Sequence, residues 1–552
     1  MQASVMRSAA GAAMLLLGLF VAAPLAAQSG APLAGQVRSA EEGGMEGVLV
    51  SAKQDGASIT VSVISDAEGR YAFPAGRLEP GHYAISVRAA GYALPGTPSV
   101  DIAADRPAAL DLALKKTDDL APQLADADWL ASIPGNDPQK SFLTNCIDCH
   151  TLQRIVSSIH TSDEFVQLFQ RMSGYALGSS PFRPQPMVGG PQNPVPVGNP
   201  RVKATADYLA SINLAGKDHW DYPLKPAPRV KGKATRVVIT EYDIPHPDAK
   251  PHDVIVDREG TVWYSDFGAL SLGELDAKTG KVTEHAIPAL RKDFPKGTFD
   301  LEQDRDGNLW LALMYQGGLA RFDRAAKTFK TFPLPAELLS NYTREFMVTP
   351  AGADTVWTDN QDTHALYRLD PASGRYENRG ILKMPGSNRP LSAYGMPVDQ
   401  DGNLYFLNLA GAEVVKMDAK TRALSTFTTP TANSRPRRGH FDERGRLWFA
   451  EFGGNAIAML DPKTEKIQEW KLPTAWSAPG DAVPDENGRV WAPSMLADSI
   501  ARLDPASGEI VEYPLPRHSS LWRIFVAESQ GAPQIWVGSD HGASIIRLEP
   551  LE

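Results

Sequence analysis

Cysteine is nearly absent: the 552 residues carry two. At most one disulfide can form, so a disulfide-stapled fold is excluded. With no second cysteine pair, a four-cysteine zinc site is excluded too. There is no long basic run, and the net charge is −10. Electrostatics therefore argue against a nucleic-acid or anionic-lipid partner. After the N-terminal segment no apolar run approaches the ~20 residues needed to cross a bilayer. The remainder is globular in composition, with 43% hydrophobic and 22% charged residues. At ~150 residues per domain, the length predicts three or four domains.

The first 27 residues read as a secretory signal peptide. Arg7 precedes an apolar stretch from Ala9 to Ala23, Pro24 stops it, and small residues follow at Ala26 and Ala27. The alternative is a retained anchor, but no basic stop-transfer sequence follows. A periplasmic or secreted protein is expected, with no membrane span after processing.

Residues 33–115 alternate apolar and polar residues in short runs such as Thr60-Val61-Ser62-Val63-Ile64 and Tyr83-Ala84-Ile85-Ser86-Val87. Gly and Pro turns punctuate them. Period two predicts an antiparallel sandwich of about seven strands, immunoglobulin-like or transthyretin-like. The order Gly35-Gln36-Val37, Asp66-Ala67-Glu68-Gly69-Arg70-Tyr71, Leu78-Glu79-Pro80-Gly81-His82-Tyr83 and Ala90-Gly91-Tyr92 resembles the carboxypeptidase regulatory-like domain. That resemblance implies an accessory module for spacing or docking, with carbohydrate as a candidate partner.

The two cysteines fall in Cys146-Ile147-Asp148-Cys149-His150, a C-x-x-C-H motif. Two thiols at this spacing can add to the two vinyl groups of one haem, and the histidine then reaches the iron. A simple disulfide is the competing reading. Around the motif, Asp137-Pro138 opens a predicted helix. Thr161-x-x-Glu164 is a capping box before Phe165, Leu168, Phe169 and Met172, and Asn199-Pro200 opens a last helix. A helix before the motif and a final helix carrying Tyr208-Leu209-Ala210 resemble a small all-α cytochrome c domain, expected over residues 122–215. Haem c is the expected covalent cofactor, held by Cys146, Cys149 and His150. Met187, in the Pro-rich loop Arg183-Pro184-Gln185-Pro186-Met187, is the expected sixth ligand, with Met172 and His160 as alternatives.

From residue 235 to 552 the chain repeats. Asp-x-x-Gly-x-(apolar)-Trp recurs at Asp257–Trp263, Asp304–Trp310, Asp442–Trp448 and Asp485–Trp491, with tyrosine replacing tryptophan in Asp399–Tyr405. Trp357 and Trp536 mark degenerate copies. A period in the forties with four short strands per unit predicts a β-propeller of seven blades. The last unit lacks its outer strand. Thr240-Glu241-Tyr242-Asp243-Ile244-Pro245, before the first unit, is expected to supply it. The whole chain is thus expected to be multidomain and mainly β.

The blades, as in Gly445-Arg446-Leu447-Trp448-Phe449-Ala450-Glu451-Phe452-Gly453-Gly454-Asn455, resemble virginiamycin B lyase. That family opens a cyclic depsipeptide by eliminating its ester C–O bond with Mg2+ and a histidine base. The mouth should be lined by residues 11 and 10 before each marker, among them His252, Asp253, Phe299, Asp300, Tyr394, Arg437, Arg438 and Asp481. Residues three to five after the marker should join them, including Asp266, Asn360, Asn408, Glu451, Asp540 and His541. By the resemblance, a histidine–carboxylate pair implies His252 with Asp266 as catalytic candidates, and Glu451 stands at the second position in another blade. A Ca2+ site of lactonase type on Glu451, Asn360, Asn408 and Asp300 fits the same rim.

Three functions remain open. In the first, a haem-linked oxidoreductase binds a small organic substrate on the propeller and passes electrons to a redox partner protein. The second is a metal-dependent lyase or lactonase using Mg2+ or Ca2+, with a peripheral haem. The third is a non-enzymatic binding and electron-relay protein.

Overall fold

The computed structural model describes residues 30–196, 198–528 and 532–551. The expected signal peptide lies outside these residues. Among the described residues no helix is long and apolar enough to cross a membrane. The protein is mainly β, with an N-terminal β domain, a short helical segment and a β-propeller.

In the N-terminal domain the alternation seen in the sequence becomes two layers. Leu33–Ser39 alternates buried and partly exposed residues, as a half-buried strand must. Leu33, Val37, Val50, Val61, Phe73, Ile85 and Leu112 fill the space between the layers. One pairing departs from the antiparallel expectation: Leu33–Ser39 runs parallel to Leu112–Lys116, with Val37 opposite Leu112. The domain's first and last long strands lie side by side, and a sequence pattern of period two carries no direction.

The propeller is built from one device, repeated. In Asp485-Glu486-Asn487-Gly488-Arg489-Val490-Trp491 the Asp485 carboxylate accepts from the backbone N–H of Asn487 and Arg489 at 2.9 Å each. Its second oxygen accepts from Trp491 Nε1 at 2.9 Å. Gly488 sits at φ +77°, which explains the glycine. Asp257, Asp304 and Asp442 hold Trp263, Trp310 and Trp448 in the same way. The motif is therefore a capped hairpin turn pinned to a buried tryptophan. Where the aspartate is missing, before Trp536, the indole N–H has no partner.

Six sheets contain four consecutive antiparallel strands each, from Pro251–Ala286 through Val483–Pro514. Leu521–Ala527, Gln534–Ser539 and Ser544–Pro550 form a further group, and Val237–Asp243 completes it, with Ile239 opposite Leu548. The free edge of Val237–Asp243 takes Ile59–Ile64 of the N-terminal domain, with Val238 opposite Val63. An exposed strand edge is thereby removed. Lys53–Asp243 at 2.6 Å, Arg77–Glu549 at 2.8 Å and Arg88–Asp498 at 2.7 Å reinforce this seam.

The helices lie between these two units in sequence and pack on the propeller. Thr161 and Glu164 cap Ser162–Met172 reciprocally, and Asn199 caps Pro200–Ile212. Trp129, Leu130, Ile147, Leu209 and Ile212 share one apolar core with Phe452, Met495, Leu496 and Trp522 of the propeller.

The turn device predicts that Asp485→Ala, which leaves two turn amides and a buried indole unpaired, destabilises the protein by ~2–4 kcal/mol in urea unfolding. A change within error would contradict the role given to the aspartate.

Candidate functional site: a cavity against the propeller mouth

A cavity of about 750 Å³ opens in the helical segment. Its walls are apolar, with Ile155, Phe165, Leu168, Phe169, Val202 and Leu209 among them, and Arg154, Arg171 and Arg201 also line it. Cys146, Cys149 and His150 line it together. Both thiols are free. Burial pushes Cys146 up to about 12 and Cys149 up to about 11, so both are protonated thiols at neutral pH. His150 Nδ1 donates to the Thr151 carbonyl at 3.0 Å, which leaves Nε2 as the bare nitrogen. Burial also lowers the His150 pKa and keeps the ring neutral.

The three candidates for a further ligand are placed apart. Met172, the last residue of Ser162–Met172, lines the cavity. Met187 is not among the lining residues. Its N–H donates to the Gly174 carbonyl at 2.8 Å, and its side chain packs against the propeller core. The Pro-rich loop that carries it is held by the propeller: Arg183 pairs with Asp248 at 2.6 Å, and Gln185 exchanges hydrogen bonds with Lys296. His160 rests its ring edge-on against Phe165, outside the lining.

The other face of the motif meets the propeller. His541 Nε2 donates to the Ile147 carbonyl at 2.7 Å, and Lys250 Nζ donates to the Asp148 carbonyl. Ile147 is fully buried in the shared core. The Asp148 carboxyl, raised by burial, is pulled back by Arg437, Lys250 and Arg435.

Beneath lies the propeller axis. The innermost strands carry a register shift at the predicted mouth positions, between Pro251 and Val254, Thr298 and Leu301, and Pro436 and Gly439. A bulge re-aims consecutive side chains, so each such strand contributes two residues to the axis. The upper layer is His252, Phe299, Tyr394, Arg437 and Trp522. His252 contacts Phe299 at 4.4 Å and Trp522 at 4.9 Å, and Arg437 lies 4.1 Å from the Tyr394 ring and 4.6 Å from that of Trp522. The lower layer is ionic. Arg438 bonds Asp300 at 2.7 Å, and Arg523 reaches Asp253 at 3.1 Å and Glu302 at 2.6 Å. His252 and Asp253 are both fully buried. What the sequence suggests as an open polar mouth is a packed plug.

His252 pairs with Asp253, not with Asp266: its Nδ1 lies 2.7 Å from the Asp253 carboxylate. Burial lowers His252 to about 4 although Asp253 opposes this. The neutral ring therefore gives its N–H to Asp253, and Nε2 has no partner. Asp266 instead accepts from the Gly268 N–H at 2.8 Å, capping the turn after its strand. Asn360, Ser494 and Ser539, at the equivalent position of other sheets, cap their turns too. Glu451 holds that position in its sheet and is fully buried with both oxygens unpartnered. Burial, joined by the nearby Glu469, pushes it up to about 8. Among the described residues no three His, Cys, Asp or Glu side chains cluster as a metal site. Asp253 is legible in the sequence as a mouth position. Lys250 and Arg523 are not, because neither belongs to the repeat marker; the strand bulges that aim such residues leave no compositional mark.

These features match known proteins in part. Residues 292–550 match the virginiamycin B lyase family. Residues 32–115 match the carboxypeptidase regulatory-like domain. No curated protein matches the chain. Among solved structures, selenomethionine-substituted virginiamycin B lyase from Staphylococcus aureus is 20% identical and covers 57% of this chain and 99% of its own, with a TM-score of 0.50. A catalytically inactive variant of that lyase, solved with quinupristin, is 19% identical over 57% and 99%, also at 0.50. A streptogramin B lyase is 20% identical over 58% and 99%, at 0.49. At such identity the likeness establishes the propeller fold alone.

Glu451 gives a pH test. Its folded pKa of about 8 lies above its ordinary value of 4.5, so the folded state binds the extra proton between them. Stability from this group is intact below the lower value and falls as pH rises through the upper one. Glu451→Gln is therefore expected to unfold at a higher temperature than the parent at pH 9 and at a similar one at pH 4. An equal shift at both pH values would contradict a buried neutral acid.

Proposed function

We propose that this is an exported c-type haem protein. In this reading the helical segment is a cytochrome c domain, the propeller a ring of seven blades, and the haem passes electrons between a small organic reductant and a redox partner protein. The observation that carries it is the placement of both cysteines and His150 on one wall of an apolar cavity.

The residues fit the group. The two thiols of the motif would hold it by thioether bonds. His150 would supply Nε2, since Nδ1 is committed to the Thr151 carbonyl. Phe165, Leu168, Phe169 and Leu209 would pack its faces and exclude water. Arg154, Arg171 and Arg201 supply the cations its two propionates require. Between Met172 and Met187, Met172 is the thioether that lines the cavity, and it would be the further protein ligand. Bound, haem would supply one-electron transfer at a potential set by the residues that hold it and by its burial.

A second reading has its own support. The Asp253–His252 pair leaves a neutral imidazole with an unpartnered Nε2, the arrangement of a general base. Virginiamycin B lyase-like elimination, assisted by Mg2+ or Ca2+, would use it. Against this stand the full burial of His252 and the helical segment over the mouth.

Maturation in a periplasm that makes c-type cytochromes tests the first reading. Cys149→Ser should lose normal covalent haem. Met172→Ala should change the optical spectrum of the reduced protein, and Met187→Ala should leave it unchanged; the reverse would return the sixth position to the Pro-rich loop. Anaerobic mixing with small alcohols, aldehydes, phenols and lactones is expected to reduce the haem with one of these classes. Metal-dependent consumption of a lactone or ester without haem reduction would favour the second reading.

A further inference from the structure

The C-x-x-C-H motif has two sides here. Cys146, Asp148, Cys149 and His150 line the cavity, while Ile147 is buried in the core shared with the propeller. Residues 144–150 are turn and bend with no helix of their own, so the carbonyls of Ile147 and Asp148 need donors from elsewhere. They find them on the propeller: His541 Nε2 at 2.7 Å from Ile147 O, and Lys250 Nζ on Asp148 O. Lys250 is itself held by Asp540 at 3.2 Å, and a second bond from its ammonium reaches the Ser179 carbonyl at 3.4 Å. Ile147 belongs to the same buried core as Phe452, Met495, Leu496 and Trp522.

We propose that the propeller mouth is a receptor for the protein's own haem-attachment loop, with Lys250 and His541 as the positioning residues that hold the loop for covalent attachment and bias the iron's potential. This rests on the proposed haem function. It gives the mouth an occupant, the apolar Ile147 and the carbonyls of Ile147 and Asp148, in the place where a small substrate would be sought.

Two physical consequences separate positioning from mere packing. A loop deprived of its donors samples other conformations, so attachment of both thiols competes less well with haem loss during maturation. The Lys250 Nζ also lies on the Asp148 carbonyl, the residue next to Cys149 in the chain. A fixed cation near the iron favours the reduced, less positive state, and its removal lowers the midpoint potential.

The test uses the full chain matured in a periplasm, with haem content per protein and midpoint potential as readouts. Lys250→Met is expected to lower covalent haem content several-fold and to move the potential downward in the fraction that matures. His541→Phe, which keeps the ring and loses the donor, is expected to lower haem content. His541→Gln, which restores an N–H, and Lys250→Arg, which restores the charge, should recover it. Lys278→Met, an exposed propeller lysine, should match the parent. Because His541 is only partly buried, its variants keep the test open if Lys250→Met does not fold. Folded variants with parental haem content and potential would overturn the inference and leave the haem reading intact. A parent chain that matures without covalent haem would overturn both.

Discussion

The architecture depends on one strand with two partners. Val237–Asp243 completes the last propeller sheet on one side and accepts Ile59–Ile64 on the other. The chain leaves the N-terminal domain, forms the helices, and returns to that same sheet. Both ends of the helical segment are thus fixed at one place on the ring, and the segment lies against the mouth. A spacer module would not need such a seam. Arg88 bonds Asp498, the Leu515 carbonyl and the Gln123 carbonyl, so one side chain ties the N-terminal domain, the propeller and the start of the helices.

With the helical segment in place, the mouth is filled from both directions. Above is the Cys146–His150 loop. Below are the aromatic layer around His252 and Trp522 and the ionic layer of Asp253, Asp300, Arg438 and Arg523. Removing one partner from such a buried ionic network leaves a charge unpaired at high cost. We therefore regard the axis as a fixed platform, with the redox chemistry of the proposed function placed in the cavity above it.

The fold is legible where sequence patterns map onto local rules. The Asp-x-x-Gly-x-x-Trp repeat is visible because turn, positive-φ glycine and indole bond lie within seven residues. The capping box at Thr161–Glu164 and the Asn199-Pro200 start are local for the same reason. The displaced strand Thr240–Pro245 is legible because its phrase recurs at the end of other units. The parallel pairing of Leu33–Ser39, and the joining of two domains through a strand edge, are not, since edge pairing leaves no composition signal.

The site divides along the same line. The thiols and His150 are neighbours in sequence, and they share the cavity. The pairing of His252 with Asp253 instead of Asp266 depends on a strand bulge, and the turn-capping role of Asp266 depends on the backbone N–H that Gly268 turns toward it. A Pro-rich loop favours Met187 in the sequence, yet that loop is pinned to the propeller through Arg183 and Gln185 while Met172 stays at the cavity.

The proposed electron-transfer function rests on the cavity holding a covalently attached haem. The direct measurement is the intact mass of the full chain, purified under denaturing conditions after maturation in a periplasm that makes c-type cytochromes. The expected result is a species heavier than the polypeptide by one haem. A polypeptide mass alone, or one lighter by two hydrogens for a Cys146–Cys149 disulfide, would contradict it.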